Sequence, residues 1–361
     1  MSDQPGLIVL LGSGETAPGA QKIYHWLFSR IRAETDEDIR VAILETPAGF
    51  EPNSAAVAGQ VGAYIKQRLQ NFRPSVVVVP ARKQGTVHSP DDPALAALLH
   101  DANVIFLGPG SPTYAARQLR GTRVWETLRA CHRAGATLML ASAATLAFSR
   151  YTVPVYEIYK VGEDVHWQPG LDFFGDFGLS PVFVPHWNNR DGGDALDTSR
   201  CYLGEARFSA LTELLPGGLT ANTIVGIDEN TALVIDPGAR TWQVMGPGGV
   251  TVQDRNGAVR VTTGMIRSLH DFGPFVLPAA SGIAPDVWQA VQTGRHAAAA
   301  ARAAQPHPSA AVLALVDQRQ AARTARNWAT ADRLRDELAV QGWQVIDTPD
   351  GPVVRPLTID N

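Results

Sequence analysis

The chain has 361 residues, 45% of them hydrophobic and 18% charged, enough for one large domain plus an accessory piece. A formal charge of -4 excludes a protein whose whole surface grips nucleic acid or acidic lipid, and the only cysteines, Cys131 and Cys201, exclude a disulfide framework or a cysteine-rich zinc site. No basic stretch leads into an apolar one at the start and no apolar run reaches membrane-spanning length, so the cytoplasm is the expected location and no membrane is expected as a partner.

In chain order, Leu7 to Leu11 is an unbroken apolar run, as in a strand buried on both faces, and it stops at Gly12-Ser13-Gly14-Glu15. Ala20 to Ile31 has the spacing of an amphipathic helix. Arg40 to Leu44 reads as a second buried strand, ending in Glu45-Thr46-Pro47-Ala48-Gly49. Asn53 opens a helix that carries Val57, Val61, Tyr64 and Ile65 on one face. Ser75 to Pro80 and Asn103 to Leu107 are further strands, the latter stopping at Gly108-Pro109-Gly110-Ser111 before a helix near Tyr114. Val124 to Ala134 is another helix. The alternation predicts a parallel sheet covered by helices, with ligands beyond the carboxyl ends of its strands.

Gly135 to Arg150 then carries an apolar strand that breaks at Ser142 into a segment of small residues. This is the outline of an elbow that lifts one nucleophile over a sheet end, where neighbours such as Ala141, Ala143 and Ala144 must be small. A buried strand-to-helix turn with an incidental serine has the same outline. Beyond it, Val153–Val161, Pro181–Pro185, Thr223–Asp228, Ala232–Asp236, Thr241–Met245 and Val250–Gln253 read as strands of a mostly antiparallel extension, with Gly246-Pro247-Gly248-Gly249 as a hairpin turn. Residues 286–308, with an Ala and Arg run broken at Gln305-Pro306-His307-Pro308, read as a linker between a domain at 1–285 and a small one at 309–357.

A serine hydroxyl needs a base, and the base a carboxylate that holds its tautomer. His186 follows the apolar strand Val182-Phe183-Val184-Pro185, and Glu157 is an acid inside Val155-Tyr156-Glu157-Ile158-Tyr159, where burial demands a partner. The order Ser, acid, His is that of hydrolases on other parallel sheets. An outward-facing Glu157 and a surface His186 are the plainer alternatives. The pairs Asp164 with His166 and His270 with Asp271 lack a strand-end setting. Gly12-Ser13-Gly14-Glu15-Thr16-Ala17 fits a loose dinucleotide fingerprint with Glu45 as its ribose acid, but Pro18 and Gly19 occupy the place where the cofactor helix would run.

Gly12-Ser13-Gly14-Glu15, Thr46-Pro47-Ala48, Phe106-Leu107-Gly108-Pro109-Gly110-Ser111, Ala141-Ser142-Ala143-Ala144 and His186, taken together, resemble the serine peptidase family of dipeptidase E and cyanophycinase. Gly226-Ile227-Asp228-Glu229-Asn230-Thr231-Ala232 and Val244-Met245-Gly246-Pro247-Gly248-Gly249-Val250 are most like the cyanophycinase-type sequence. The resemblance implies an α/β fold of the class I glutamine amidotransferase-like type, with Ser142 as nucleophile, Glu157 as relay acid and His186 as base. It also implies hydrolysis of peptide bonds next to aspartate. Leu140 and Ala144 stand where the family elbow usually has glycine. The Ala143 N–H and, because Pro109 has no N–H, the Gly110 N–H are the expected oxyanion donors. Arg190 and Arg200 follow His186, but no substrate-binding residue can be assigned.

Val312 to Arg326 and Trp328 to Gln341 read as two helices, with Asn327 capping the second and Gly342 ending it, followed by a hairpin through Thr348-Pro349-Asp350-Gly351. The succession Arg319, Ala322, Arg323, Arg326-Asn327-Trp328, Ala331-Asp332, Arg335-Asp336 and Leu338 resembles the C-terminal domain of cysteinyl-tRNA synthetase, which contacts the tRNA anticodon arm. Acidic side chains slightly outnumber basic ones here, although Arg319, Arg323 and Arg326 can share a helix face. The tail therefore reads as a tRNA contact or as a packing or homodimerisation module. The whole reads as a serine hydrolase, a peptidase or amidase acting on a small peptide or amide substrate, with no metal or cofactor. Glutamine amidotransfer is not expected, because Cys131 lies back in a helix. The alternative is a catalytically impaired protein that binds a ligand or tRNA.

Overall fold

The computed structural model describes residues 4–35, 37–279, 282–304, 308–348 and 351–357. The chain divides into two compact units, Met1–Arg295 and His296–Asn361. In the first, buried apolar runs form β1 (Ile8–Leu11), β2 (Arg40–Leu44), β3 (Ser75–Val79), β4 (Val104–Leu107) and β5 (Thr137–Ala141), which pair in parallel. Later strands are the short ribbon β6 (Tyr151–Thr152) with β7 (Gln168–Pro169), then β8 (Pro181–Val184), β9 (Thr223–Ile227), β10 (Ala232–Asp236), β11 (Thr241–Met245), β12 (Gly249–Asp254), β13 (Gly257–Thr262) and β14 (Ile266–Ser268). The main sheet runs β14-β11-β10-β1-β5-β4-β2-β3, and a second sheet runs β13-β12-β9-β8. The expected parallel sheet with an antiparallel extension is therefore present.

The inner strands of the main sheet feed two cores, one on each face. Ile8 and Leu10 point to one face and Val9 and Leu11 to the other, as the two-residue period of a strand requires. Helices α1 (Ala20–Thr35) and α2 (Ser54–Arg68) close one face with Ile23, Leu27, Phe28, Val61 and Ile65. The short α3 (Pro93–Ala97) with α4 (Pro112–Leu119), α5 (Arg123–Arg133) and Val225, Ile227 and Val250 of the second sheet close the other. Two short helices complete the parts that matter below, α6 (Ala143–Ala147) after β5 and α7 (Glu205–Glu213) against the second sheet, followed by the single turn α8 (Gly218–Ala221). Among the described residues, no helix is long and apolar enough to cross a membrane.

Three expectations change. Val153–Val161 is not a strand: after β6 the chain winds into a turn over Glu157–Val161, entered by the Ile158 N–H donating to the Pro154 carbonyl at 3.0 Å and left through Gly162 at φ +88°. Pro154 cannot supply a ladder hydrogen bond, and the turn buries Ile158 instead. Gly246-Pro247-Gly248-Gly249 is not a hairpin turn, because β11 pairs with β10 and β14 while β12 pairs with β9 and β13. It carries the chain between sheets, with Gly246 at φ +117° passing so close to the Asn230 carbonyl that a side chain there would overlap it. Finally, most of the expected linker is helical. Helix α9 (Pro285–Ala303) starts before residue 286, and its alanines suit a helix while Val287 and Val291, one turn apart, are buried in the first unit's core. Gln305, Pro306 and His307 lie outside the described residues.

The second unit has α10 (Ala310–Thr324), α11 (Trp328–Val340) and the hairpin of β15 (Trp343–Thr348) with β16 (Gly351–Pro356). Ser309 caps α10 by accepting from the Val312 N–H, and Asn327 caps α11 by accepting from the Thr330 N–H. Val312, Val316, Leu338, Trp343 and Val345 form its small core. The central residues of the hairpin turn, Pro349 and Asp350, lie outside the described residues.

Candidate functional site

Ser142 sits between β5 and α6 with φ +51° and ψ -109°, a backbone conformation that costs a residue with a side chain of order 1–3 kcal/mol. The strain persists because both flanks are fixed. Its N–H donates to the Leu11 carbonyl at 3.3 Å, and Ala141, Ala143 and Ala144 are buried on either side. Leu140 pairs in register with Leu10 and Leu107, and its side chain lies in the main core, as does Ala144. The side chains that replace the usual elbow glycines are thus taken up by the core.

His186 follows β8, also at positive φ (+51°), with its N–H donating to the Gly12 carbonyl at 3.1 Å. Its Nε2 lies 2.9 Å from Ser142 Oγ, and its Nδ1 lies 2.8 Å from Glu229 Oε1. A carboxylate only accepts, so Nδ1 carries the proton and Nε2 is free to accept from the serine hydroxyl. The Tyr202 ring packs on His186 at 5.2 Å, and burial, followed by the nearby Asp191 charge, pushes the Tyr202 phenol well above its ordinary value. Tyr202 therefore stays a neutral wall beside His186.

Glu229 stands two residues past the end of β9 and is held from three sides. Besides His186, Asn189 Nδ2 donates to Oε1 at 2.9 Å, and the Glu229 N–H donates to Asn188 Oδ1 at 2.8 Å. Asn189 is itself buried, and its Oδ1 accepts the Asp191 N–H at 3.1 Å, which fixes its amide so that Nδ2 faces the carboxylate. The hydrogen bond from His186 holds the Glu229 carboxyl below the usual carboxylate range, against partial burial and with a further contribution from Asn189. Beneath it, Asp228 is fully buried and accepts from the Gly249 N–H and from Arg260.

Glu157 is a correction. It was expected to hold His186, but its Oε1 accepts from Thr113 Oγ1 at 2.6 Å, and Glu229 occupies the place at Nδ1. The reason is the turn over Glu157–Val161, which replaces the expected strand and carries the carboxylate to the α4 side. The sequence did hold a signal for Glu229: it is the second residue past the buried run Thr223–Ile227, as His186 is the second past β8.

Gly108–Ser111 leaves β4, the strand beside β5, and turns back with Gly110 at φ +143°. A side chain at Gly110 would overlap the Pro47 carbonyl, which accepts the Ser111 N–H at 2.9 Å. This close approach fixes the Gly110 peptide, while the Ala143 N–H is the first of α6. Arg200 stacks over Trp187 at 4.1 Å and donates to its carbonyl. Burial pushes the Cys131 thiol up to about 12, and its Sγ donates to the Leu99 carbonyl, so it is held as the neutral thiol. Helix α1 begins only at Ala20, which removes the phosphate-facing helix end a dinucleotide loop needs. Among the described residues, no group of three or more His, Cys, Asp or Glu side chains is arranged to hold a metal. The arrangement around Ser142 can take a proton from a hydroxyl and hold it on an imidazole whose cation is offset by a carboxylate.

In the tail, the expected arginine stripe is partly spent internally. Buried Arg319 makes a two-point ion pair with Asp347 at 2.7 and 2.8 Å, and Arg323 reaches the same carboxylate at 3.2 Å while lying over Trp328.

Comparison with known proteins finds two kinds of likeness. Residues 305–355 match the family described as the cysteinyl-tRNA ligase anticodon binding domain. Cysteine–tRNA ligase of Streptococcus agalactiae is 58% identical over 40 residues, 11% of this chain and 9% of that protein. The enzyme of Chlamydia pneumoniae is 50% identical over 46 residues, 13% and 10% of the two chains. The chain therefore spans no more than about a tenth of the length of these curated relatives. The crystal structure of a peptidase from an acI-B1 Actinobacterium aligns with a TM-score of 0.58 and 24% identity over 74% of this chain and 98% of that one. At that identity the shared property is the fold.

The lowered Glu229 carboxyl has a sign that can be measured. A carboxylate whose folded value lies below its unfolded one stabilises the folded chain above the ordinary carboxylate range and ceases to do so as pH falls through the lowered value. Thermal melts of the native chain and Glu229→Gln should differ by roughly a few degrees at neutral pH, and the gap should close in acid. A gap that is constant with pH would show that the charge on Glu229 plays no part.

Proposed function

We propose that this chain is a serine hydrolase that cleaves an amide or peptide bond, with Ser142 as nucleophile, His186 as base and Glu229 as the acid that orients and offsets it. The observation that carries this reading is the unbroken contact from Ser142 Oγ through both nitrogens of His186 to Glu229 Oε1, with Ser142 on a strained elbow. In the proposed reaction, Oγ attacks the substrate carbonyl as its proton passes to His186 Nε2. The negative oxygen is met by the N–H groups of Ala143 and Gly110, and the imidazolium returns its proton to the leaving amine. Water then enters by the same route and releases the acyl group from Ser142. The shared fold with a peptidase supports an amide-cleaving chemistry, and the family resemblance of the sequence favours small aspartyl peptides as substrates. The tight packing around Gly110 and the accommodation of Leu140 favour a competent elbow over an impaired one.

The reading is tested by phosphonylation with a neutral alkyl fluorophosphonate. The native chain should label at Ser142, Ser142→Ala should not label, and His186→Ala and Glu229→Gln should label at least about a hundredfold more slowly. A folded native chain that fails to label contradicts the proposal.

A second activity is favoured by the family match of residues 305–355: the second unit contacts tRNA. Because buried Arg319 and half-buried Arg323 share Asp347, the phosphate contacts fall to more exposed arginines such as Arg333 and Arg335, whose own pairs with Glu337 and Asp332 lie open to solvent. Binding of bulk tRNA by the full chain, followed by fluorescence anisotropy, should weaken steeply with salt and more gently in Arg333→Ala/Arg335→Ala. Binding absent at low salt would leave the tail as a packing or dimerisation module.

A further inference from the structure

Arg200, Cys201 and Tyr202 follow one another at φ +57°, +59° and +68°, a single left-handed turn. Elsewhere among the described residues, the non-glycine positions of positive φ stand singly. Side chains disfavour this conformation because Cβ crowds the following carbonyl, and glycine, asparagine or aspartate normally supplies it one residue at a time. None of the three residues is of that kind. Such a turn persists only where its surroundings leave it no alternative.

The turn is fastened at both ends. Ahead of it, Asp197 Oδ1 accepts the Ser199 N–H at 2.9 Å, and beyond it Asp197 Oδ2 accepts the Glu205 N–H at 2.7 Å. Arg207 donates back to the Leu203 and Tyr202 carbonyls at 2.6 and 3.1 Å. Toward the loop after β8, the Arg200 N–H donates to the Trp187 carbonyl at 3.0 Å and the Cys201 N–H to the His186 carbonyl at 3.2 Å. The Cys201 side chain is buried with Val182, Val184 and Trp187, and the Arg200 guanidinium lies over the Trp187 ring. With those two side chains committed, Tyr202 places its ring against the His186 ring at 5.2 Å, backed by Tyr159 at 5.7 Å.

His186 has two polar tethers, Ser142 Oγ at Nε2 and Glu229 Oε1 at Nδ1. Hydrogen bonds made at the edge of a ring resist its sliding more than its tilting, and the one from Ser142 is given up once Oγ bonds to a substrate carbonyl. We propose that Tyr202 is a positioning residue for His186: the left-handed turn sets its ring against the imidazole and keeps Nε2 aimed at the reacting atoms through the step in which the Ser142 tether is absent. This rests on the hydrolase reading above. The contact with His186 is made by the ring of Tyr202, so phenylalanine preserves the role and alanine removes it.

The test measures second-order labelling of Ser142 by the neutral alkyl fluorophosphonate, together with the exchange rate of the His186 Nδ1 proton by NMR, in Tyr202→Phe, Tyr202→Ala and Asp197→Ala. Tyr202→Ala should label roughly ten- to hundredfold more slowly, as when a reacting group is misplaced by about 1 Å, and its Nδ1 proton should exchange faster. Tyr202→Phe should match the native chain on both readouts. Asp197→Ala touches neither ring but unfastens both ends of the turn, and should move both readouts in the direction of Tyr202→Ala by a smaller factor. A folded Tyr202→Ala with native labelling and a native Nδ1 proton would overturn the inference and leave the hydrolase reading intact. Equal slowing in Tyr202→Phe would transfer the effect to the phenol and overturn the role of the ring. Should Tyr202→Ala fail to fold, native readouts in Asp197→Ala overturn the inference in its place. A native chain that is folded yet unlabelled would instead overturn the hydrolase reading, and the inference with it.

Discussion

The backbone of Gly12 is the point at which the two sheets of the first unit are tied together. Its N–H donates to the Thr231 carbonyl at 2.9 Å, its own carbonyl accepts the His186 N–H, and a side chain in its place would overlap the Asp228 carbonyl. The residue before it, Leu11, accepts the Ser142 N–H. Loops that leave β1, β5, β8 and β9 are thereby held within a few bonds of one another, although β8 and β9 belong to the second sheet and β1 and β5 to the first. Strain at Ser142 and at His186 can be stored there because the surrounding hydrogen bonds leave neither residue an easy alternative.

This explains a glycine that the sequence left ambiguous. Gly12-Ser13-Gly14 had the outline of a dinucleotide loop, but its first glycine answers to close backbone approach from Asp228, and Gly14 answers to a positive φ beside the Asn230 side chain. Neither need is visible without knowing that residues more than two hundred positions away come back to the end of β1. The same long return hid Glu229. Strand ends, helices and the placing of Ser142 and His186 over the sheet were legible because buried strands are continuous apolar runs and helices carry their own period. The acid was not, since choosing between Glu157 and Glu229 depends on whether Val153–Val161 stays extended, and Pro154 with a buried Ile158 turns it into a wound segment. Hydrophobic periodicity over so few residues cannot separate the two states.

The second unit shows a different limit of sequence reading. Its helices, its Asn327 cap and its hairpin follow the pattern, but the face that three arginines could share is reorganised by one acid, Asp347, on the facing strand. Burying Arg319 against that carboxylate adds a specific polar lock to a core that is small for a free-standing fold. A charge pattern along a helix therefore reports what could face solvent, whereas the partner that removes a charge from the surface comes from elsewhere in the chain.

In the proposed relay Glu229, reached only through the fold, holds the tautomer of His186. Nitrogen-15 and proton NMR of histidine-labelled chain tests it most directly, by following the Nδ1 proton of His186. A downfield, exchange-protected Nδ1 proton should be present in the native chain, persist in Glu157→Gln and disappear in Glu229→Gln. Its loss in Glu157→Gln with retention in Glu229→Gln would return the role at His186 to Glu157.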